Sequence, residues 1–272
     1  MSVVALLTDF GTDDAYVGIM HGVILRVNPE ASIVDVCHDI APQDVQAAAF
    51  VLSTAYPYFP TETIYVVVVD PGVGSERRAI AMRTRRGTFV APDNGVLSYV
   101  LAREAVSQMV QVTNARYWLS PLSDTFHGRD VFAPVAAHLS LGLSLSELGP
   151  PVRDPVHLTL AEPRVGEDGT IRGQVLHVDR FGNLVTNIRR ELLSPGQTLR
   201  TRVADREVPG LVKTYAAAGW GELLTLVGSN GYLEISLRDG SAATALKVGR
   251  GAEVVLVPVE DLDQPRIDRL RR

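Results

Sequence analysis

The stretch Thr63-Ile64-Tyr65-Val66-Val67-Val68-Val69 decides the fold class. It is β-branched or aromatic throughout and apolar at odd and even positions alike, so it describes a strand buried on both faces. Such strands belong inside a parallel sheet covered by helices. Upstream, residues 3–7 form a short apolar run, residues 15–27 carry helical spacing and stop before Asn28-Pro29, and residues 32–36 are again apolar and largely β-branched. That order is a βαβ unit. A second helix is expected over 44–55, with Pro42 before it, Asp44 as its N-cap, and Pro57 and Pro60 after it. Downstream, residues 79–84 and 88–91 around Arg86-Gly87 read as a hairpin added to the sheet, and helices are expected at 96–103 and 131–139.

The pattern changes near Gly149-Pro150-Pro151. From Thr170 onward it shows short alternating segments, at 171–178, 184–188, 199–203, 223–227, 232–236 and 252–257, with turn residues between them and no long helical period. The expected class is α/β. An N-terminal domain over 1–155 has a mostly parallel sheet flanked by helices, a linker spans 149–169, and a smaller all-β domain covers 170–260. The charged tail at 264–272 reads as loose.

Composition narrows the function. The chain has 272 residues, is 46% hydrophobic and 21% charged, and carries a formal net charge of −5. A balance of that kind supports a substantial core and offers no basic field for nucleic acid or anionic membrane, which makes a small-molecule site the default. Lys213 and Lys247 are the only lysines, which removes most Schiff-base chemistry. The single Cys37 cannot form an internal disulfide or build a structural zinc site by itself. The N-terminus lacks the basic and long apolar regions of a signal peptide, and no run approaches the roughly 20 apolar residues of a membrane span. The expectation is a cytoplasmic protein.

Candidate chemistry gathers at strand ends. Asp9 and Asp70 each follow an apolar strand, at the position where open α/β sheets bind ligands; the alternative is a helix cap or turn residue for Asp9 and an Asp-Pro turn for Asp70. Asp9-Phe10-Gly11 matches a kinase signature, but no Gly-rich or catalytic loop precedes it. Asp13 and Asp14 fit either a Mg²⁺ site with Asp9 or the first turn of the next helix. The run Asp70-Pro71-Gly72-Val73-Gly74-Ser75-Glu76-Arg77-Arg78 is not a Walker A loop, and the acid at its head repels phosphate. It can instead turn sharply and bring Arg77 or Arg78 beside Asp70.

Of the six histidines, His127 stands apart, in a loop just before a predicted helix. No His-Glu-x-x-His spacing occurs, so no metal site is expected. An Asp, an Arg and a His from separate loops are able to order and polarise a water. In the second half, Asp179-Arg180-Phe181-Gly182-Asn183 and Ser229-Asn230-Gly231-Tyr232 are turns that also offer an acid, an aromatic face and an amide, a set suited to a purine ring and an ammonium group.

Five motifs occur in order, at 8–14, 69–78, 126–134, 179–187 and 228–235. Through them residues 3–257 resemble the S-adenosyl-L-methionine (SAM) hydroxide adenosyltransferases, adenosine-forming SAM hydrolases related to the bacterial fluorinase and chlorinase. The resemblance implies an α/β N-terminal domain and a β-rich C-terminal one. It implies a homotrimer with active sites between the N-domain of one subunit and the C-domain of the next. The implied reaction is attack of water or hydroxide at ribose C5′, giving adenosine and L-methionine without metal or cofactor.

On the same ground Asp70, Arg77 and His127 form the water-activating triad and Asp9 takes the ribose hydroxyls. Asp179 and Ser229 hold the methionine end, Phe181 and Asn183 contact adenine from the neighbouring subunit, and Tyr215 packs near the base. Asn94 and Gly95 lie in a shared motif without an assigned role. The halogenases carry other residues at the positions of Asp70 and His127 and insert a loop between those of Arg83 and Val90, where this chain has a tight hairpin.

Overall fold

The computed structural model describes residues 2–193 and 198–259, so the tail read at 264–272 lies outside the described residues. The chain divides between Leu160 and Ala161 into two units. The first contains β1 (Val3–Thr8), α1 (Tyr16–Val27), β2 (Ser32–Cys37), α2 (Val45–Ala55), β3 (Ile64–Val68), β4 (Ala79–Thr84), β5 (Gly87–Pro92), α3 (Ser98–Arg103), β6 (Val106–Gln111) and α4 (Ala133–Ser140). Its six-stranded sheet has the order β2-β1-β3-β5-β4-β6. Only β4 runs against the others.

The alternation of side chains along β1 and β3 explains the layering. Val4, Leu6, Ile64, Val66 and Val68 pack on one face with Met20 and Ile24 of α1 and Val135 of α4. Ala5, Leu7, Tyr65 and Val67 pack on the other with Ala48 and Leu52 of α2 and Val100 of α3. Both faces of β3 are buried, as the opening stretch requires, and each such valine contributes about 1.5–3 kcal/mol by leaving water. Asp44 caps α2 by accepting the Ala47 amide at 2.9 Å.

Several details differ from the sequence reading. The expected helix at 131–139 is a π turn over Gly128–Phe132 running into α4. Strand β6 has no clear signal in the sequence, because Ser107, Gln108 and Gln111 break its apolar pattern at the sheet edge. Asp13 and Asp14 precede the first turn of α1, which holds no acidic residue, and both are exposed. The stretch expected as a linker stays bonded to the first unit for half its length: Pro150 and Val152 pair with Gln111 and Met109, and the Leu158 amide donates to Ser98 Oγ at 2.7 Å.

The second unit contains β7 (Arg164–Val165), β8 (Ile171–Val178), β9 (Leu184–Arg189), β10 (Leu199–Val203), β11 (Arg206–Val208), β12 (Leu223–Val227), β13 (Tyr232–Leu237), α5 (Ala242–Leu246) and β14 (Glu253–Pro258). Its antiparallel sheet has the order β11-β10-β14-β8-β9-β13-β12, with β7 on β8. Ile171, Val175, Leu184, Ile188, Leu233, Ile235 and Leu256 supply much of its core.

Candidate active site

β1 and β3 are adjacent and parallel, with Thr8 opposite Val68, so Asp9 and Asp70 emerge from the same end of the sheet. After Val69 the chain folds through two tight turns, closed by Val73 N to Asp70 O and Ser75 N to Gly72 O. They return Arg77 to the carboxylate at the head of the loop. Arg77 Nε donates to Asp70 Oδ1 at 2.9 Å and Oδ2 at 2.8 Å, and its terminal Nη2 donates to Oδ2 at 2.5 Å. The two side chains are 5% (Asp70) and 11% (Arg77) exposed, so this pair is shielded from water in a way that surface pairs are not. Of the two arginines that spacing left open, Arg77 takes Asp70, whereas Arg78 binds Asp93 and Asp154.

The same Nη2 of Arg77 lies 2.9 Å from His127 Nδ1. A guanidinium only donates, so Nδ1 is an unprotonated acceptor and the neutral ring carries its proton on Nε2. Burial disfavours the charged imidazolium and the Arg77 cation opposes it further, so the His127 pKa falls below its ordinary 6.5. Arg77 also lies over the Phe132 ring, 5.3 Å from its centroid.

The loop carrying His127 is held from behind. Asp130, 1% exposed, accepts Arg129 Nε at 2.6 Å and the Ser123 amide at 2.8 Å. Burial raises the Asp130 pKa, and these donors outweigh it, leaving the group below the usual carboxylate value. Gly74, at φ +76°, lets the 70–78 loop approach this second loop: a Cβ there would overlap the Asp124 carbonyl oxygen. Phe10, Tyr16 and Phe126 stack edge-on or tilted beside it, with centroids 5.2–5.8 Å apart, a cluster that the sequence reading did not single out.

Among the described residues, Asp9 neither caps α1 nor pairs with a cation. Its Oδ2 accepts the Gln43 amide at 2.7 Å, and Gln43 sits at φ +66°, a strained conformation for a residue with a side chain. No local signal foretells that strain. The turn after β1 is braced by His38: its Nδ1 lies 2.8 Å from Thr8 Oγ1, and its carbonyl accepts the Gly11 amide at 2.9 Å.

The second unit holds the remaining candidates. Asp179 accepts the Phe181 and Asn183 amides and Asn183 Nδ2, each at 2.9 Å, so it organises its own turn and fixes Asn183. Phe181 is 76% exposed and Ser229 is also exposed, in the turn before β13. Tyr215 donates to Glu234 Oε1 at 2.6 Å, which also accepts Ser236 Oγ at 2.9 Å. Burial and then the Glu234 carboxylate push the Tyr215 phenol well above its ordinary value, with Asp179 adding to the effect. Glu234 is a buried acid of the motif at 228–235, and local pattern alone assigns it no role.

Residues 4–149 match the family described as the SAM hydroxide adenosyltransferase N-terminal domain, and residues 173–255 match its C-terminal domain. An (R)-S-adenosyl-L-methionine hydrolase of Salinispora tropica is 40% identical over 251 residues, covering 91% of this chain and 95% of that protein. A fluorinase of an Actinoplanes species is 27% identical, covering 93% and 97%. A crystal structure of an uncharacterized conserved protein from Thermotoga maritima matches with a TM-score of 0.88 and 39% identity, over 93% of this chain and 99% of that one.

Because folding lowers the His127 pKa, the neutral ring is compatible with the fold above the ordinary imidazole value. Stability is lost as pH falls from that value through the lowered one. Nitrogen-15 NMR is expected to show Nδ1 unprotonated at pH 7 and a titration midpoint below 6.5. A protonated Nδ1, or a midpoint at or above 6.5, contradicts the arrangement.

Proposed function

The chain belongs to the SAM hydroxide adenosyltransferase family, and from that premise we propose how its own residues carry the reaction. The activity is hydrolysis of SAM to adenosine and L-methionine. In the proposed mechanism a water molecule held at Asp70, Arg77 and His127 attacks ribose C5′. The C5′–O bond forms as the C5′–S bond breaks, the bonding pair leaves on sulfur as a neutral thioether, and the water proton passes to the Asp70 carboxylate and then to solvent. A neutral leaving group needs no general acid, so the reading calls for no metal or cofactor. What the protein must supply is a positioned and activated oxygen, since free water has a pKa of about 15.7.

The observation that carries this reading is the buried Asp70–Arg77 fork with His127 on the same guanidinium nitrogen. Arg77 fixes the carboxylate plane and keeps His127 neutral, with its Nε2 proton free to hold the water oxygen. An anionic Asp70 opposes a halide, which disfavours the halogenase alternative. Asp9, through the oxygen not held by Gln43, accepts the ribose hydroxyls. The names of the similar hydrolases extend the proposal to the (R) sulfonium epimer as substrate.

Asp179 and Ser229 are assigned to the methionine end, Phe181 and Asn183 to adenine, and Tyr215 to packing near the base. Exposed aromatics in the second unit, Phe181 and Tyr215 among them, support a homotrimer in which the second unit of one copy completes the site on the first unit of the next. The proposed setting is the cytoplasm. Among the described residues no helix is long and apolar enough to cross a membrane.

Turnover in oxygen-18 water is expected to place the label on the adenosine 5′-hydroxyl, and Asp70→Asn to lower kcat by about 10²–10⁴-fold with little change in KM. Unlabelled adenosine, a halide-dependent product or an active Asp70→Asn enzyme contradicts the mechanism. Separately, mixing inactive Asp70→Asn protein with inactive Asp179→Ala protein, then unfolding and refolding them together, should restore part of the activity. No recovery on mixing, with trimers formed, contradicts the shared site.

A further inference from the structure

The loop at 70–78 carries both members of the buried ion pair, and its two ends are tied to one short segment, Asp93-Asn94. That segment follows β5, which lies beside β3 in the sheet and pairs with β4 on its other edge. At the loop's start, Asn94 Nδ2 donates to the carbonyl of Val69 at 2.8 Å, the residue before Asp70. The Asn94 side chain is itself oriented by accepting the Val96 amide at 3.2 Å. At the loop's end, the Asp93 amide donates to the carbonyl of Arg78 at 2.8 Å. The Asp93 carboxylate, 2% exposed, takes Arg78 Nε at 2.8 Å and Nη2 at 2.6 Å. Its other oxygen accepts the Val156 amide at 2.8 Å. Arg78 is then closed from outside by Asp154, through Oδ1 at 2.9 Å and the backbone carbonyl at 2.7 Å.

We propose that Asp93 and Asn94 are positioning residues for the hydrolysis, fixing both ends of the 70–78 loop so that Asp70 and Arg77 meet His127 in register. This inference rests on the reading of those three residues as the water-holding set. The physical argument is one of leverage. Asn94 grips the chain one residue before Asp70 and Asp93 grips it one residue after Arg77, so the turns between them have fixed end points. A loop rich in glycine, with Gly72 and Gly74 inside it, has many conformations to lose, and two pinned ends remove most of them. The Asp93–Arg78 pair also occupies the neighbouring guanidinium, which leaves Arg77 as the arginine available to Asp70. Displacing a reacting group by about 1 Å costs on the order of 10²-fold in rate, so a loose end at either point is felt at the reacting atoms.

The test uses the full-length enzyme and the isosteric change Asn94→Asp, which keeps the acceptor for Val96 and replaces the donor to Val69 with an oxygen. Asp70→Asn is measured beside it. The expected result is a kcat lower by about 10–100-fold with KM within about threefold, and a His127 titration midpoint raised toward the ordinary imidazole value as Arg77 moves away. Arg78→Lys, which keeps the charge and loses the fork, tests the other end of the loop and gives the same readings if Asn94→Asp does not fold. Wild-type kcat with only a lower melting temperature overturns the inference, as does a raised KM with kcat preserved. If Asp70→Asn is slow while the folded loop-end variants are fast, the positioning role alone falls. If Asp70→Asn is as fast as wild type, the underlying reading of the site falls and takes the inference with it.

Discussion

One guanidinium organises the site. Arg77 uses Nε and Nη2 on the Asp70 carboxylate and the same Nη2 on His127, in a region where both members of the ion pair are nearly buried. Removing either member of a buried pair leaves the other without compensation, which typically costs about 3–5 kcal/mol. The pair is therefore a constraint on folding as well as on the proposed chemistry. It sets the plane of the carboxylate, the tautomer of the imidazole and the closeness of two loops from distant parts of the sequence. The lowered His127 pKa and the need for glycine at position 74 both follow from that closeness.

The sheet supplies the frame. Strands β1 and β3 deliver Asp9 and Asp70 to one end, and β5 beside them delivers Asp93 and Asn94. All three strands are buried on both faces over most of their length, so their ends are fixed to the precision of the core. The turns around the site are each closed by a side chain: Asp44 at the start of α2, Asp130 behind His127, Asn94 behind Asp70. Gln43 shows the cost of this arrangement, a backbone held at positive φ so that its amide can serve Asp9. In the second unit Asp179 plays a comparable part, closing a turn with three hydrogen bonds and holding Asn183 in place.

Much of the frame was legible in the sequence because it depends on local pattern. The apolar run at 63–69, the Asp44 cap and the hairpin around Arg86-Gly87 are each specified by a few neighbouring residues, and the structure has each of them. Edge elements were less legible: β6 is half polar because one side of it meets little of the core. For the site, the pattern pointed to an acid, an arginine and a histidine but could not choose between Arg77 and Arg78. That choice depends on Asp93 and Asp154, which are distant in sequence and claim Arg78. The strain at Gln43 and the π turn after His127 were illegible for the same reason, since tertiary contacts impose both against local preference.

In the proposed mechanism the fork of Arg77, and not its charge alone, makes the site work. Arg77→Lys keeps the positive charge and loses the planar pair of donors that spans Asp70 and His127. Steady-state kinetics of this variant with SAM should show kcat lower by at least about 10²-fold with KM little changed and the fold intact by thermal unfolding. A folded Arg77→Lys enzyme that turns over SAM at the wild-type rate would contradict the account.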